Sequence, residues 1–138
     1  MKTSLSILLG LVTYAIAVYI NDCIALLVPK MALLCVFGPI VEEFVKRIGK
    51  RYANKWQVAL VFALIETVSE PKYLARIGLR LITTLPMHIS STYSRLIVGN
   101  LTHITFNTLM NIGIPVWVAI VFSTGIALVE LYVGMKRV

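Results

Sequence analysis

The chain has 138 residues, of which 59% are hydrophobic and 14% are charged, and its mean hydropathy is +0.88. A soluble domain of this size cannot bury that much apolar surface, so the composition excludes an ordinary water-soluble protein and predicts the lipid bilayer as solvent. The net charge of +7 does not indicate nucleic acid as a partner, because the basic residues lie at the ends of apolar segments, where membrane proteins carry cytoplasmic anchors.

Six apolar segments are predicted to form membrane-spanning helices, because most of them approach the roughly 20 residues that a crossing requires. In chain order they cover about 4–20, 23–45, 56–68, 74–93, 96–112 and 116–135. Asn21 and Asp22 are expected to form a turn after the first helix, and residues 46–55 a basic loop. The predicted fold is therefore all-α, a polytopic membrane bundle of about six transmembrane helices in a single domain over residues 1–138.

The distribution of Lys and Arg predicts the orientation of these helices. With the N-terminus in the cytoplasm, most basic residues fall on the inner side: Lys2, Lys46, Arg47, Lys50, Arg51, Lys55, Arg95, Lys136 and Arg137. The outer side then holds Lys72 and Arg76. Because cytoplasmic loops are enriched in Lys and Arg, we expect an integral protein of the cell membrane with both termini cytoplasmic.

Three short motifs place ionisable residues inside these apolar segments. They are Glu42-Glu43-x-x-Lys46-Arg47, Phe62-x-x-x-Glu66 followed by Pro86-Met87-His88, and His103-x-x-x-Asn107. Carboxylates and imidazoles are costly in a bilayer and mark functional sites there. Counted at about 1.5 Å per residue from the nearest basic residues, the ionisable residues of these motifs all lie in the cytoplasmic half of the bilayer or at its centre. Their shared depth predicts water-activating chemistry inside the membrane.

The glutamates have a functional and a structural explanation. Glu42 and Glu43 either supply a general base or close a helix end by pairing with Lys46 and Arg47 at i,i+4 spacing. Glu66 has no basic residue within one helical turn of its own helix. A function is therefore favoured over a structural role for Glu66.

The histidines and the asparagine also allow two interpretations. His103 and Asn107 are four residues apart, so they share a helix face. Together they either orient a ligand or stabilise an oxyanion, or they form polar contacts between helices, which is also the structural explanation for His88. Arg80, in the same predicted helix as His88, is a candidate partner for Glu66.

These motifs resemble those of known membrane proteases. Pro39-x-x-Glu42-Glu43-x-x-Lys46, Phe62 to Glu66, and Pro86-Met87-His88 resemble the PrsW family. The EExxxR and HxxxN elements are similar to those of the CPBP family, which includes CAAX prenyl endopeptidases and bacteriocin-processing proteins. The resemblance covers about residues 38–107, half of the chain. It implies a multi-helix intramembrane endopeptidase that acts without a metal on a membrane-anchored peptide or protein.

The resemblance also implies roles for individual residues. Glu42 would be the base, with Glu43 supporting it. His88 would orient the water, and His103 and Asn107 would hold the oxyanion of the tetrahedral intermediate. All five residues would then serve one hydrolytic step.

Two alternatives stay open. Glu66, which matches the second motif of the PrsW type without an assigned role, would join His88 and His103 as ligands in a zinc peptidase. A non-catalytic membrane protein of the same fold, an immunity factor or a scaffold, is the other alternative, and its role would survive Glu42→Gln. The substrate, the cleaved bond and the oligomeric state do not follow from the sequence.

Overall fold

A computed structural model describes residues 2–69 and 77–135, apart from the side chains of Lys2, Ile77, Leu79, Arg80 and Met135. The described residues are almost entirely helical, which confirms the predicted all-α class. Several sequence-based expectations fall outside the described residues, namely those for Lys72, Arg76, the side chain of Arg80, Lys136 and Arg137.

The described residues form a series of helices. They are α1 (Lys2–Ala25), α2 (Lys30–Ala32), the π-helical segment π1 (Leu33–Phe37), α3 (Gly38–Tyr52), α4 (Lys55–Ser69), α5 (Ile77–Tyr93), α6 (Leu96–Asn111) and α7 (Val116–Met135). Because α2, π1 and α3 continue without a break, the described residues form six helical rods. Their number agrees with the six predicted segments, whereas two predicted connections are wrong.

The two wrong connections are helical. Asn21 and Asp22 lie inside α1, and the chain turns only before Pro29. Pro29, whose ring fixes φ (−59°) and whose ψ is 144°, directly precedes the next helix. The first seven residues of the predicted basic loop 46–55 belong to α3. The charge run did not prevent helix formation there, because its buried and exposed residues alternate with helical periodicity and Arg47 and Arg51 face outward.

Two small clusters of buried apolar side chains connect the rods. The first joins α1, α3 and α4 through Ala17, Val45, Val58 and Phe62, and the second joins α5, α6 and α7 through Met87, Phe106 and Ala119. The two groups of helices pack on each other through α3, α4, α5 and α6. These four helices carry the polar residues of the sequence motifs.

The distribution of polarity differs from that of a water-soluble protein. The largest fully buried side chain is Lys46, whereas Leu26 and Leu27 are 86% and 84% exposed. Two helical stretches, Thr3–Ala25 in α1 and Val116–Val133 in α7, are long and apolar enough to cross a bilayer. They are the membrane-span candidates among the described residues, so a bundle of six crossings stays a prediction.

We predict that Gly99→Ala destabilises the fold, because α5 and α6 approach each other closely there. A Cβ at position 99 would lie 2.8 Å from the backbone oxygen of Ser91 and 3.3 Å from Oε2 of Glu43. The free energy of unfolding, measured in detergent micelles, should fall by about 1–3 kcal/mol. Gly78→Ala is the matched control, because Gly78 lies in a helix with open space around it and alanine favours helix. Equal effects of the two substitutions would contradict the close approach.

Candidate active site

Six ionisable residues of the motifs, from four helices, form one connected group, which we call the polar chain. In order of contact its members are Glu66 (α4), His88 (α5), Lys46 and Glu43 (α3), His103 (α6) and Glu42 (α3). The centroids of the two imidazole rings are 5.4 Å apart in an edge-to-face arrangement. Residues up to 60 positions apart in the sequence are thereby in direct contact.

Lys46 lies at the centre of the polar chain. Its Nζ donates to Oε1 of Glu43 at 2.6 Å and to Nδ1 of His88 at 2.9 Å, and it lies 4.8 Å from the centre of the Phe62 ring. The residue is fully buried. An unpaired ammonium in this position would be strongly destabilising, so the carboxylate, the imidazole and the ring face together stabilise it.

The sequence-based interpretation of Lys46 as a cytoplasmic anchor is therefore wrong. The structural alternative for the glutamates, in which Lys46 pairs with Glu42 at i,i+4 spacing, is wrong as well, because Lys46 pairs with Glu43 at i,i+3 spacing. Lys46 was missed because it begins a run of basic residues that otherwise face outward. Helical periodicity was the available signal, since Glu43, Lys46 and Gly49 share one buried face.

The contacts of His88 determine which of its nitrogens carries the proton. An ammonium group donates and cannot accept a hydrogen bond, so Nδ1 of His88 accepts from Lys46. Nε2 therefore carries the proton and donates to Oε2 of Glu66 at 2.6 Å. Both ring nitrogens are engaged and the ring is fully buried. His88 thus connects Lys46 to Glu66, which differs from the predicted role of orienting a water molecule.

The contacts of His103 leave one ring nitrogen facing Glu42. Glu43 is held as a carboxylate by Lys46, so Nδ1 of His103 donates to Oε1 of Glu43 at 3.0 Å. In the neutral ring, Nε2 then presents its lone pair. It lies 3.8 Å from Oε2 of Glu42, which is too far for a direct hydrogen bond but suits one water about 2.8 Å from each atom.

A cavity of about 490 Å³ reaches this pair of atoms. Its walls include Glu42, Glu66, His103 and Asn107. The other lining residues come from the C-terminal parts of α1, α4 and α6 and from π1 and the start of α3. Of the six predicted site residues, four line the cavity, whereas Glu43 and His88 lie behind its wall. Both ends of the polar chain, Glu66 and Glu42, therefore open into the same space.

Asn107 is oriented by a hydrogen bond to the π-helical segment π1. Its Nδ2 donates to the backbone oxygen of Leu34 at 3.0 Å. Leu34 belongs to π1, and π-helical segments occur frequently at functional sites. This contact uses one of the two amide N–H groups of Asn107. In the same wall, the buried Oδ1 of Asn21 has no hydrogen-bond partner among the described residues.

In the zinc-peptidase alternative, Glu66, His88 and His103 would bind the metal. Among the described residues, no group of three His, Cys, Asp or Glu side chains is placed to hold one metal ion. The ammonium of Lys46 occupies Nδ1 of His88 and places a positive charge beside this set. The geometry therefore does not fit a zinc site built from these three residues, and metal dependence stays a question for a direct measurement.

Comparisons with known proteins do not extend this description. No family model matches the chain, and no curated protein and no solved structure matches it either. The resemblance to the PrsW and CPBP families stays a prediction from the motifs. Function must therefore be inferred from the geometry of the site.

We predict that Lys46→Met strongly destabilises the fold, because it leaves Glu43 and His88 without their central partner. Removing one member of a buried ion pair lowers the free energy of unfolding by about 3–5 kcal/mol. Arg47→Met is the matched control, because its exposed cation should contribute less than about 0.5 kcal/mol. Unfolding in detergent micelles, followed by circular dichroism, measures both. Similar stabilities of the two variants would show that the buried pair is not required.

Proposed function

We propose that the chain is an intramembrane endopeptidase, in which glutamate and histidine activate a water molecule to hydrolyse a peptide bond of a membrane-anchored substrate. One observation carries this proposal. Nε2 of His103 and Oε2 of Glu42 lie 3.8 Å apart at a cavity wall, while Glu43 holds the other side of the imidazole ring. A carboxylate that fixes the tautomer and orientation of a histidine is the arrangement by which enzymes make imidazole a general base.

The reaction follows from these positions. A water between Glu42 and His103 transfers a proton to one of them while its oxygen attacks the carbonyl carbon of the scissile bond. The resulting oxyanion accepts hydrogen bonds from Nε2–H of protonated His103 or from the second amide N–H of Asn107. The captured proton then passes to the leaving amine as the C–N bond breaks, which releases the new carboxyl group and restores the base.

The remaining members of the polar chain position these groups. Lys46 keeps Glu43 ionised, and Glu43 in turn keeps the lone pair of His103 directed toward the cavity. His88 orients Glu66, which has a side chain 25% exposed and lines the same cavity. Glu66 is thus placed to contact substrate, whereas Lys46 and His88 act through their neighbours.

The membrane location is supported by the surface of the bundle. Large apolar side chains point outward along α1 and α7, the two helices that are long and apolar enough to cross a bilayer. Polar residues are concentrated between the helices instead. A bilayer solvates such an apolar surface. Because lipid offers no hydrogen-bond partners, carboxylates and imidazoles inside the bundle must pair with other polar groups of the protein.

The location of the cavity favours substrate entry from the non-cytoplasmic side. Contacts of Ser6 with Asn54, of Lys50 with Thr92 and of Arg95 with Glu130 bring the starts of α1, α4 and α6 to one end of the bundle, so the C-terminal parts of these three helices lie at the opposite end. These parts line the cavity. The exposed basic residues of α3 lie at the other end, which is the cytoplasmic end by charge.

We predict that Glu42→Gln and His103→Gln each lower peptide hydrolysis by at least about 100-fold, because each removes a group that contacts the attacking water. The assay uses proteoliposomes and a quenched-fluorescence library of single-span peptides. Glu130→Gln is the matched control, because Glu130 contacts Arg95 and does not line the cavity. Thermal unfolding of each variant separates lost chemistry from lost fold.

The same assay distinguishes the alternatives. Full activity in the presence of a chelator, with no metal in the purified protein, is the expected result, whereas activity restored by added zinc would favour a metallopeptidase. No hydrolysis of any library member by the folded wild-type protein would contradict the proposal and favour an immunity factor or scaffold.

We also predict the orientation of the bundle from its two ends. In a Cys23→Ser background, Asp22→Cys should react with a membrane-impermeant maleimide added to intact cells, because Asp22 is exposed at the cavity end. Arg51→Cys, exposed at the basic end, should react only after the membrane is permeabilised. The remaining Cys35 is buried. The opposite labelling pattern would reverse the proposed topology.

A further inference from the structure

A second cavity lies at the basic end of the bundle, away from the polar chain. Its volume is about 610 Å³, and we call it the basic pocket. It is lined by the C-terminal half of α3, the first residue of α4, and the junction of α5 and α6. Five of its lining residues are cationic, namely Arg47, Lys50, Arg51, Lys55 and Arg95. None of the described lining residues is acidic.

The cations belong to a built site rather than to a solvated charge run. Lys50 is half-buried, and its Nζ donates to the backbone oxygens of Thr92 and Ser94 at the end of α5. The Nζ of Lys55 lies 5.7 Å from the centre of the Tyr93 ring. These contacts join α3 and α4 to the end of α5, so the pocket is formed by three parts of the chain.

The N-terminus of α6 adds to the positive potential of the basic pocket. Leu96, the first residue of α6, lines the pocket, and the side chain of Arg95 before it makes no capping hydrogen bond. The N–H groups of a first helical turn carry partial positive charge and bind anions. Glu130 of α7 does not line the pocket, but its Oε2 accepts from the backbone N–H of Arg95 at 3.1 Å and its Oε1 lies 3.4 Å from Nε of the same residue. One of the five cations and the N-terminal end of α6 are thus partly compensated.

The basic pocket changes from apolar to cationic along α3. Phe44 and Ile48, one turn apart, are 56% and 50% exposed and line one part of it. Arg47 lies between them in the sequence, and Arg51 and Lys55 follow toward the helix end and beyond it. A soluble phosphate would use the cations and leave the apolar side chains without a partner. A phospholipid uses both, because its acyl chain and its anionic headgroup are joined in this order.

We propose that the basic pocket binds the phosphate-bearing headgroup of an anionic phospholipid, whose acyl chains lie along Phe44 and Ile48. Basic pockets between transmembrane helices on the cytoplasmic side recognise lipids of this class by charge. Tyr52 and Tyr93 line the same pocket, at the level where aromatic side chains meet lipid headgroups. The proposal shares only the membrane location with the proposed function, since it involves no residue of the polar chain.

Fluorescence quenching by brominated lipids tests this proposal in the full chain. The protein has two tryptophans, and Trp117→Phe leaves Trp56, which is next to Lys55 in α4. In phosphatidylcholine vesicles, brominated phosphatidylglycerol should quench Trp56 at a lower mole fraction than brominated phosphatidylcholine. Each cation removed should lower the relative association constant by about five-fold. Arg47→Gln/Arg51→Gln should therefore abolish most of the preference.

Lys30→Gln is the charge control. Lys30 is exposed and begins the rod that ends near the basic pocket, roughly 30 Å away. Its removal should leave the preference within two-fold of the parent, whereas Arg51→Gln, which also removes one charge, should reduce it. Equal effects of the two would show that net charge, and not the pocket, attracts the lipid, and this would overturn the proposal.

Three further results have defined meanings. Equal quenching by the two lipids in the parent protein would overturn the proposal. Saturable binding of inorganic phosphate in detergent, lost in Arg47→Gln/Arg51→Gln and accompanied by no lipid preference, would replace the lipid by a free phosphate. Glu42→Gln should keep the full lipid preference, so a failure of the proposed hydrolysis and a failure of lipid binding are distinguishable.

Discussion

The structure depends on the burial of one ammonium group. Lys46 is fully enclosed by α3, α4 and α5, where Glu43, His88 and the face of Phe62 surround its charge. A buried cation stabilises a fold only when its partners are held in place. The position of Lys46 therefore requires α3, α4 and α5 to pack in one register, and the same register orients the two histidines.

Charge compensation and the proposed chemistry use the same contacts. Glu43 neutralises the charge of Lys46 and at the same time accepts a hydrogen bond from the protonated Nδ1 of His103. The lone pair of His103 must then face Glu42 and the cavity. Stability and the proposed catalysis are coupled in this arrangement, because a change at Lys46 alters the electrostatic environment of His103 through a single carboxylate.

The rod formed by α2, π1 and α3 contributes residues to two different sites. Its N-terminal half lines the cavity that holds Glu42, and its C-terminal half lines the basic pocket. Lys46 lies between them and faces inward, whereas its neighbour Arg47 faces outward. The same helix thus places the paired Lys46 in the interior and the exposed Arg47 and Arg51 in the basic pocket. The periodicity of the helix decides which basic residue serves which site.

The sequence by itself determined the all-α class, the number of rods and the ionisable residues from which the proposed chemistry is built, because hydrophobic length and ionisable residues in apolar segments are local properties. Which partner each group takes was decided only by the tertiary structure. Nothing in the sequence distinguishes Lys46 from Arg47 except helical phase, and no local rule pairs Glu43 with a histidine 60 residues away. Tertiary packing also placed His88 behind Glu66 and the cavity at the end opposite the basic residues. The physical reason is that side chains buried together must neutralise one another, and this condition applies only after the helices have packed.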